Sequence, residues 1–123
     1  MKITSFNPLI VSSDAAAGIK LFEDLGFEKR HSKDLENNNE DITSVRMKNA
    51  DGFHVDIATA PVPRDMTVIR MNVDNLEEAI AILTKHGFVN ANAGQTVETS
   101  SSKSEFMVSP SGFAINVIKH IKE

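Results

Sequence analysis

The chain carries one pattern twice, and this internal repeat limits its possible folds more than any other feature. Three landmarks recur in the same order in both halves: a helix cap, a helix stop and a final hairpin. They are Asp14 and Asn75, Gly26-Phe27 and Gly87-Phe88, and Gly52-Phe53 and Gly112-Phe113. The first two pairs lie 61 positions apart and the third pair one position less. Repetition at a fixed spacing indicates two copies of one structural unit.

Each copy reads as a strand, a helix and three further strands. In the first half the predicted strands are 2–11, 27–32, 42–48 and 53–59, and in the second half they are 67–73, 95–99, 104–109 and 113–119. Apolar residues at helical spacing predict the two buried helix stripes, and these are Ala16, Ile19, Phe22 and Leu25, then Leu76, Ala79, Ile80 and Leu83. The polar segment 35–41 is predicted to be a turn. The sequence therefore predicts one α+β domain, 1–123, with modules of about 1–60 and 66–120.

A ferredoxin-like βαββαβ sandwich is the nearest alternative. That fold places two strands between its helices, whereas this pattern predicts four: three in the first module and the opening strand of the second. The count therefore favours two tandem βαβββ modules over the sandwich.

Composition restricts the class of protein and its partners. The 123 residues include no cysteine, which excludes disulfides and thiolate metal sites and fits a cytoplasmic location. The formal net charge is −4 with scattered Lys and Arg, so nucleic acid is not the expected partner. The N-terminal residues lack a signal-peptide pattern, and no stretch is long and apolar enough for a membrane span. Small molecules, or a second copy of the chain, are the expected partners.

The tandem repeat, the Leu-Gly-Phe after the first helix and the Pro-x-Gly before the last strand together resemble the vicinal oxygen chelate superfamily. This superfamily includes glyoxalase I, extradiol dioxygenases and bleomycin-binding proteins. The matching segments are 12–28, 51–59, 73–88 and 109–118. The resemblance implies curled mixed sheets around a cavity, the glyoxalase/bleomycin resistance fold. It specifies a fold better than a function, because the superfamily hosts unrelated chemistries.

In metal-using members, four side chains from the first and last strands of the modules bind the ion. The resemblance places these positions at Asn7, Asp56, Val68 and Asn116. Only Asp56 is a good ligand for a divalent metal, since Val68 has no donor atom and the asparagines offer weak neutral oxygens. We therefore predict no metal and no cofactor, which removes the Lewis acid on which the metal-dependent chemistries rely.

Alternation along the strands predicts which side chains face the cavity. His54 shares the face of Asp56, and Arg70 and Asn72 share the face of Val68, while Phe53, Val55 and Ile57, and Ile69, Met71 and Val73, are predicted to pack in the core. The predicted cavity residues are Asn7, His54, Asp56, Arg70, Asn72 and Asn116. A binding pocket could use Arg70 for an anionic group, the asparagines for hydrogen bonds and Asp56 or His54 for proton transfer. An internal Asp56–Arg70 salt bridge is the alternative interpretation.

Three functions follow from these expectations. The first is a metal-free small-molecule binding protein that sequesters a drug or metabolite and works as a homodimer. The second is a lyase or isomerase of the glyoxalase-like class, acting on a small oxygenated metabolite with Asp56 or His54 as base. The third is a structural or regulatory module with a vestigial cavity.

Overall fold

The strands and helices follow the predicted repeat. A computed structural model describes residues 1–34, 43–91, 97–98 and 102–120, and the predicted turn 35–41 lies outside them. Over the described residues the elements are β1 (Ile3–Ser12), α1 (Ala15–Asp24), β2 (Glu28–Asp34), β3 (Thr43–Lys48), β4 (His54–Thr59), β5 (Met66–Val73), α2 (Leu76–Lys85), β6 (Val89–Asn90), β7 (Val97–Glu98), β8 (Ser102–Val108) and β9 (Ala114–His120). None of the helices in this part of the chain is long and apolar enough to cross a membrane.

Local chemistry explains where both helices begin and end. The side chains of Asp14 and Asn75 accept hydrogen bonds from the backbone N–H groups of Ala17 and Glu78, which satisfies donors at each helix start. At the other end, the N–H of Phe27 donates to the carbonyl of Phe22, five residues back. Phe88 and Leu83 repeat this bond in α2. These are Schellman closures, so the predicted caps and stops are confirmed.

One compact unit consists of Asn7–Thr67. Its strands lie in the order β2, β3, β4, β1, with antiparallel pairing throughout except for the parallel pair of β4 and β1. One face of this sheet packs against α1 through a core of five buried side chains, which are Ala15, Val45, Met47, Val55 and Ile57.

The other compact unit consists of Met1–Phe6 and Val68–Glu123. Here β5 pairs in parallel with β9, and β9 pairs antiparallel with β8. The core against α2 contains Met71, Val73, Leu76, Ala79, Phe88, Met107, Ile115 and Val117. This is the same arrangement as in the first unit, with helix, parallel pair and antiparallel neighbour in equivalent places.

Two sequence expectations about packing were wrong, and one strand was not predicted. Phe53 is 66% exposed and precedes β4, because it lies at the hairpin rather than within the strand. On α1, Ala16 and Leu25 are exposed and Ala15 is buried. The buried stripe of α1 therefore lacks the two residues that were predicted at its ends. A short strand that was not predicted, β6, pairs with β8 through Val89 and Val108.

Candidate functional site

The sheet face turned away from α1 in the first unit carries most of that unit's buried polar chemistry. Strand register defines its members, because paired residues point to the same side of a sheet. Asp56 is paired with Leu9 of β1 and Arg46 of β3, and His54 is paired with Lys48. We call this the distal face, and its members are Asn7, Leu9, Val11, Ser44, Arg46, Lys48, His54, Asp56 and Ala58.

Asp56 is the centre of the distal face. Its side chain is 0% exposed, and Arg46 lies beside it with 29% of its side chain exposed. Arg46 donates from Nε to Oδ1 at 3.0 Å and from Nη2 to Oδ2 at 3.2 Å. A two-point contact of this kind is the strong form of the arginine–carboxylate hydrogen bond. The guanidinium therefore offsets the cost of burying the Asp56 charge.

Asn7 contacts the same carboxylate from the other side. Its Nδ2 donates to Asp56 Oδ2 at 3.1 Å and to the Pro8 carbonyl at 2.9 Å. Only 6% of Asn7 is exposed, and its Oδ1 is a buried acceptor with no hydrogen-bond partner among the described residues. A buried polar atom in this state costs free energy, so a native structure is expected to supply a donor for it.

Two basic side chains lie in the next row across the sheet. His54 and Lys48 are both partly buried and face each other across the β3–β4 pair. Burial lowers the pKa of His54 below its ordinary value of 6.5, and the positive charges of Arg46 and Lys48 lower it further, against an opposing effect of Asp56. His54 is therefore neutral at neutral pH and available as a hydrogen-bond or proton acceptor.

This lowered pKa predicts how His54 affects stability. In the pH range between its folded pKa and 6.5, the unfolded chain binds more protons at this position than the folded chain. The contribution of His54 to the free energy of unfolding is therefore fully present above 6.5 and is lost as the pH falls through that range. Denaturant titrations from about pH 5 to 7.5 on the wild type and on His54→Gln should show a difference that grows with decreasing pH. A difference that stays constant would contradict this prediction.

The predicted residues of the second unit also share one face of their sheet. Arg70 is paired with Asn116 across β5 and β9, and Asn72 and Val68 lie on the same side, opposite the α2 core. Asn72 and Val68 are buried, and Arg70 and Asn116 are partly buried. The structure thus groups Asn7, His54 and Asp56 in one unit and Arg70, Asn72 and Asn116 in the other. The cavity shared by both groups, and the Asp56–Arg70 ion pair, stay predictions.

Arg46 is the site residue that the sequence reasoning missed. The signal was present in the hairpin, because Lys48 and His54 flank its turn symmetrically and the next residues on the same face are Arg46 and Asp56. Counting outwards from Asn49-Ala50-Asp51-Gly52 would have placed a cation opposite the buried carboxylate. The residues predicted to face the cavity lie on β1, β4, β5 and β9, and none of them lies on β3.

The residues at the family's metal positions do not fit a divalent ion. Both oxygens of Asp56 accept hydrogen bonds from the positively charged Arg46 guanidinium, so the one good ligand of the set is already occupied. Val68 has no donor atom. In the described residues no group of three or more His, Cys, Asp or Glu side chains is arranged to hold a metal. We therefore derive no reaction step through a metal.

Comparisons with known proteins identify the fold. No protein-family model matches the sequence, and no curated protein matches it. Among solved structures, the chain is similar to a glyoxalase/bleomycin resistance protein/dioxygenase superfamily member from Vibrio splendidus, with a TM-score of 0.63 and 16% identity over 96% of this chain and 99% of that one. A methylmalonyl-CoA epimerase variant from Streptomyces coelicolor, in complex with 2-nitronate-propionyl-CoA, matches with a TM-score of 0.67 and 12% identity over 98% and 96%. A glyoxalase I mutant from Zea mays matches with a TM-score of 0.68 and 12% identity over 97% of this chain and 44% of that one.

The chain therefore has the glyoxalase/bleomycin resistance/dioxygenase fold, the fold of the vicinal oxygen chelate superfamily. This confirms the resemblance found in the sequence and the α+β class with two βαβββ modules. Identities of 11–16% establish the fold alone, and the superfamily's functions differ from member to member.

Proposed function

We propose that this chain is a metal-free small-molecule binding protein whose ligand binds on the distal face of the first unit. The observation that carries the proposal is the buried acceptor Asn7 Oδ1, which lies beside an Asp56 carboxylate already occupied by Arg46. A ligand with a hydrogen-bond donor would satisfy that acceptor. The partly exposed side chains of Arg46, Lys48 and His54 provide solvent-accessible polar contacts at the same place.

The chemistry of Asp56 favours binding over catalysis by this residue. Its two oxygens accept three hydrogen bonds from Arg46 and Asn7. A carboxylate stabilised in this way is a poor proton acceptor, because hydrogen bonds to the charged form favour that form. Asp56 thus acts as a positioning residue that holds Arg46 and Asn7 in place.

A ligand screen tests this proposal. Thermal-shift measurements against a library of small anionic, neutral and cationic metabolites should yield at least one compound that raises the melting temperature, since any ligand of the native state stabilises it. Backbone amide chemical-shift changes should then map the compound to β1, β3 and β4. Lys29 provides a matched control, because it is paired with Met47 and lies on the opposite face of the same sheet. Lys48→Gln should reduce the thermal shift and Lys29→Gln should leave it unchanged. Absence of any binder, or shifts that map to the α1 side, would contradict the proposal.

A lyase or isomerase is the second candidate, and the neutral state of His54 favours it. His54 is partly buried, faces Lys48, and has a pKa lowered by burial and by neighbouring positive charges. A neutral imidazole can accept a proton from a bound ligand as a general base. Two of the similar structures are named as an epimerase and a glyoxalase I. Turnover of a bound compound that survives chelation and is lost in His54→Gln would support the enzyme. Binding without turnover would support the sequestering protein.

We also propose that the protein works as a cytoplasmic homodimer. β2 is the outer strand of the sheet in the first unit, and an outer strand offers unpaired backbone groups to a second chain.

A structural or regulatory module with a vestigial cavity remains the third candidate, and it would bind nothing in the screen.

A further inference from the structure

The arrangement of charges and of the buried acceptor on the distal face selects a class of ligand. We propose that this face binds a small hydroxycarboxylate, with the carboxylate at Lys48 and the hydroxyl donating to Asn7 Oδ1. This inference rests on the proposed function and makes it specific.

Strand register places the three interacting groups in one row. Lys48 and His54 are paired across β3 and β4. Asn7 stands two residues before Leu9, and His54 two residues before Asp56, and Leu9 and Asp56 are partners in the parallel pair. Extending this register by two residues places Asn7 beside His54, so Asn7, His54 and Lys48 follow one another across adjacent strands, which are spaced about 4.8 Å apart in the backbone. A ligand of a few carbon atoms can reach both ends of this row, because the lysine side chain is long and flexible.

The local charge fits a monoanion. Asp56 and Arg46 form an ion pair, and Lys48 is a second cation of this face that lies outside that pair, beside His54. Within the described residues Lys48 has no ion pair or hydrogen bond, although the exposed Glu28 is its strand partner on β2. A ligand carboxylate adds one negative charge beside the Lys48 ammonium, whereas a phosphate dianion would add two at a place where Glu28 already contributes one. Because Asn7 Oδ1 only accepts, it requires a hydroxyl or another donor on the same molecule.

Matched probes test this inference without altering the protein. The probes are 3-hydroxybutyrate, butyrate, which lacks the donor, and 3-hydroxybutyramide, which lacks the charge. Their dissociation constants come from chemical-shift titrations of the whole chain. Butyrate should bind about five- to tenfold more weakly than 3-hydroxybutyrate, the effect of one hydrogen bond to a buried acceptor. The amide should bind at least about tenfold more weakly, because it loses the charge-assisted contact.

Two substitutions complete the test. Lys48→Gln should weaken 3-hydroxybutyrate about tenfold without affecting the amide, and Lys29→Gln on the opposite face should change neither.

Equal affinities for the three probes, or an unchanged affinity in Lys48→Gln, would overturn the hydroxycarboxylate assignment. If compounds of other chemistry still mapped to the distal face, the binding function would stand and only this assignment would fail. If no compound mapped there, both would fail.

Discussion

Replacing Arg46 by methionine is expected to lower the free energy of unfolding by about 3–5 kcal/mol, the usual cost of breaking a buried ion pair by removing one partner. The reason is the position of Asp56, whose side chain is 0% exposed and accepts two hydrogen bonds from the guanidinium. Methionine retains much of the apolar stem of the arginine, so the loss is mainly electrostatic. Chemical denaturation followed by circular dichroism measures the effect.

A double-mutant cycle separates the ion pair from other effects of the substitution. Asp56→Asn removes the charge that Arg46 compensates, and it should itself destabilise the protein. In the double variant, methionine no longer faces a buried charge, so the total loss should be smaller than the sum of the single losses by about 1–3 kcal/mol. Additive losses would show that the pair contributes no coupling and would contradict the role assigned to Arg46.

Lys29 again provides the control. It is exposed, lies on the opposite face of the same sheet and is paired with Met47 rather than with a carboxylate. Lys29→Met should change the free energy of unfolding by less than about 0.5 kcal/mol, as is usual for exposed positions. A loss in Lys29→Met as large as that in Arg46→Met would show that any cation-to-methionine change in this sheet is harmful.

The repeat made the architecture predictable. Helix caps, left-handed glycines and hairpin turns are local devices whose chemistry depends on a few neighbouring residues, so Asp14, Asn75 and Gly26 could be interpreted directly. Alternation along a strand is also local, and it placed Val55 and Ile57 in the α1 core correctly.

The features that the sequence did not predict depend on contacts between elements. β6 contains two residues, too few for any alternation, and forms because β8 pairs with it. The repeat contained a hint, since Phe27 is followed by β2 and Phe88 is followed by β6. Phe53 follows the apolar pattern of β4 but lies outside its ladder, at the hairpin, where nothing in the pattern distinguishes exposure from burial.

The candidate site was predictable only in part. The resemblance placed Asn7 and Asp56 in the candidate site and alternation added His54, and the structure brings Asn7 and Asp56 into contact. The partner of Asp56 was the harder question, because two arginines, Arg46 and Arg70, were available. Hairpin symmetry points to Arg46, whose Nε lies 3.0 Å from Oδ1 of Asp56, and the Asp56–Arg70 pair stays a prediction.

The second large effect is expected at Gly87, the residue that ends α2. Gly87 has a φ of +90°, and a Cβ added there would lie 2.7 Å from Cγ of Pro110. The left-handed conformation alone costs a non-glycine residue about 1–2 kcal/mol. The proline ring cannot move aside as a flexible chain end could, so overpacking adds about 1–3 kcal/mol. Gly87→Ala should therefore destabilise the protein by about 2–5 kcal/mol in a denaturant titration.

Gly26 is the matched control, because it ends α1 in the same way with a φ of +103° and would place a Cβ where no atom of the described residues lies within 4 Å. Gly26→Ala should show only the conformational cost of about 1–2 kcal/mol. Adding Pro110→Ala to Gly87→Ala should recover the excess, since alanine has no Cγ at the site of the clash. Equal losses at Gly26 and Gly87 would mean that the turn at Pro110 adapts freely and that the clash with its ring does not limit the substitution.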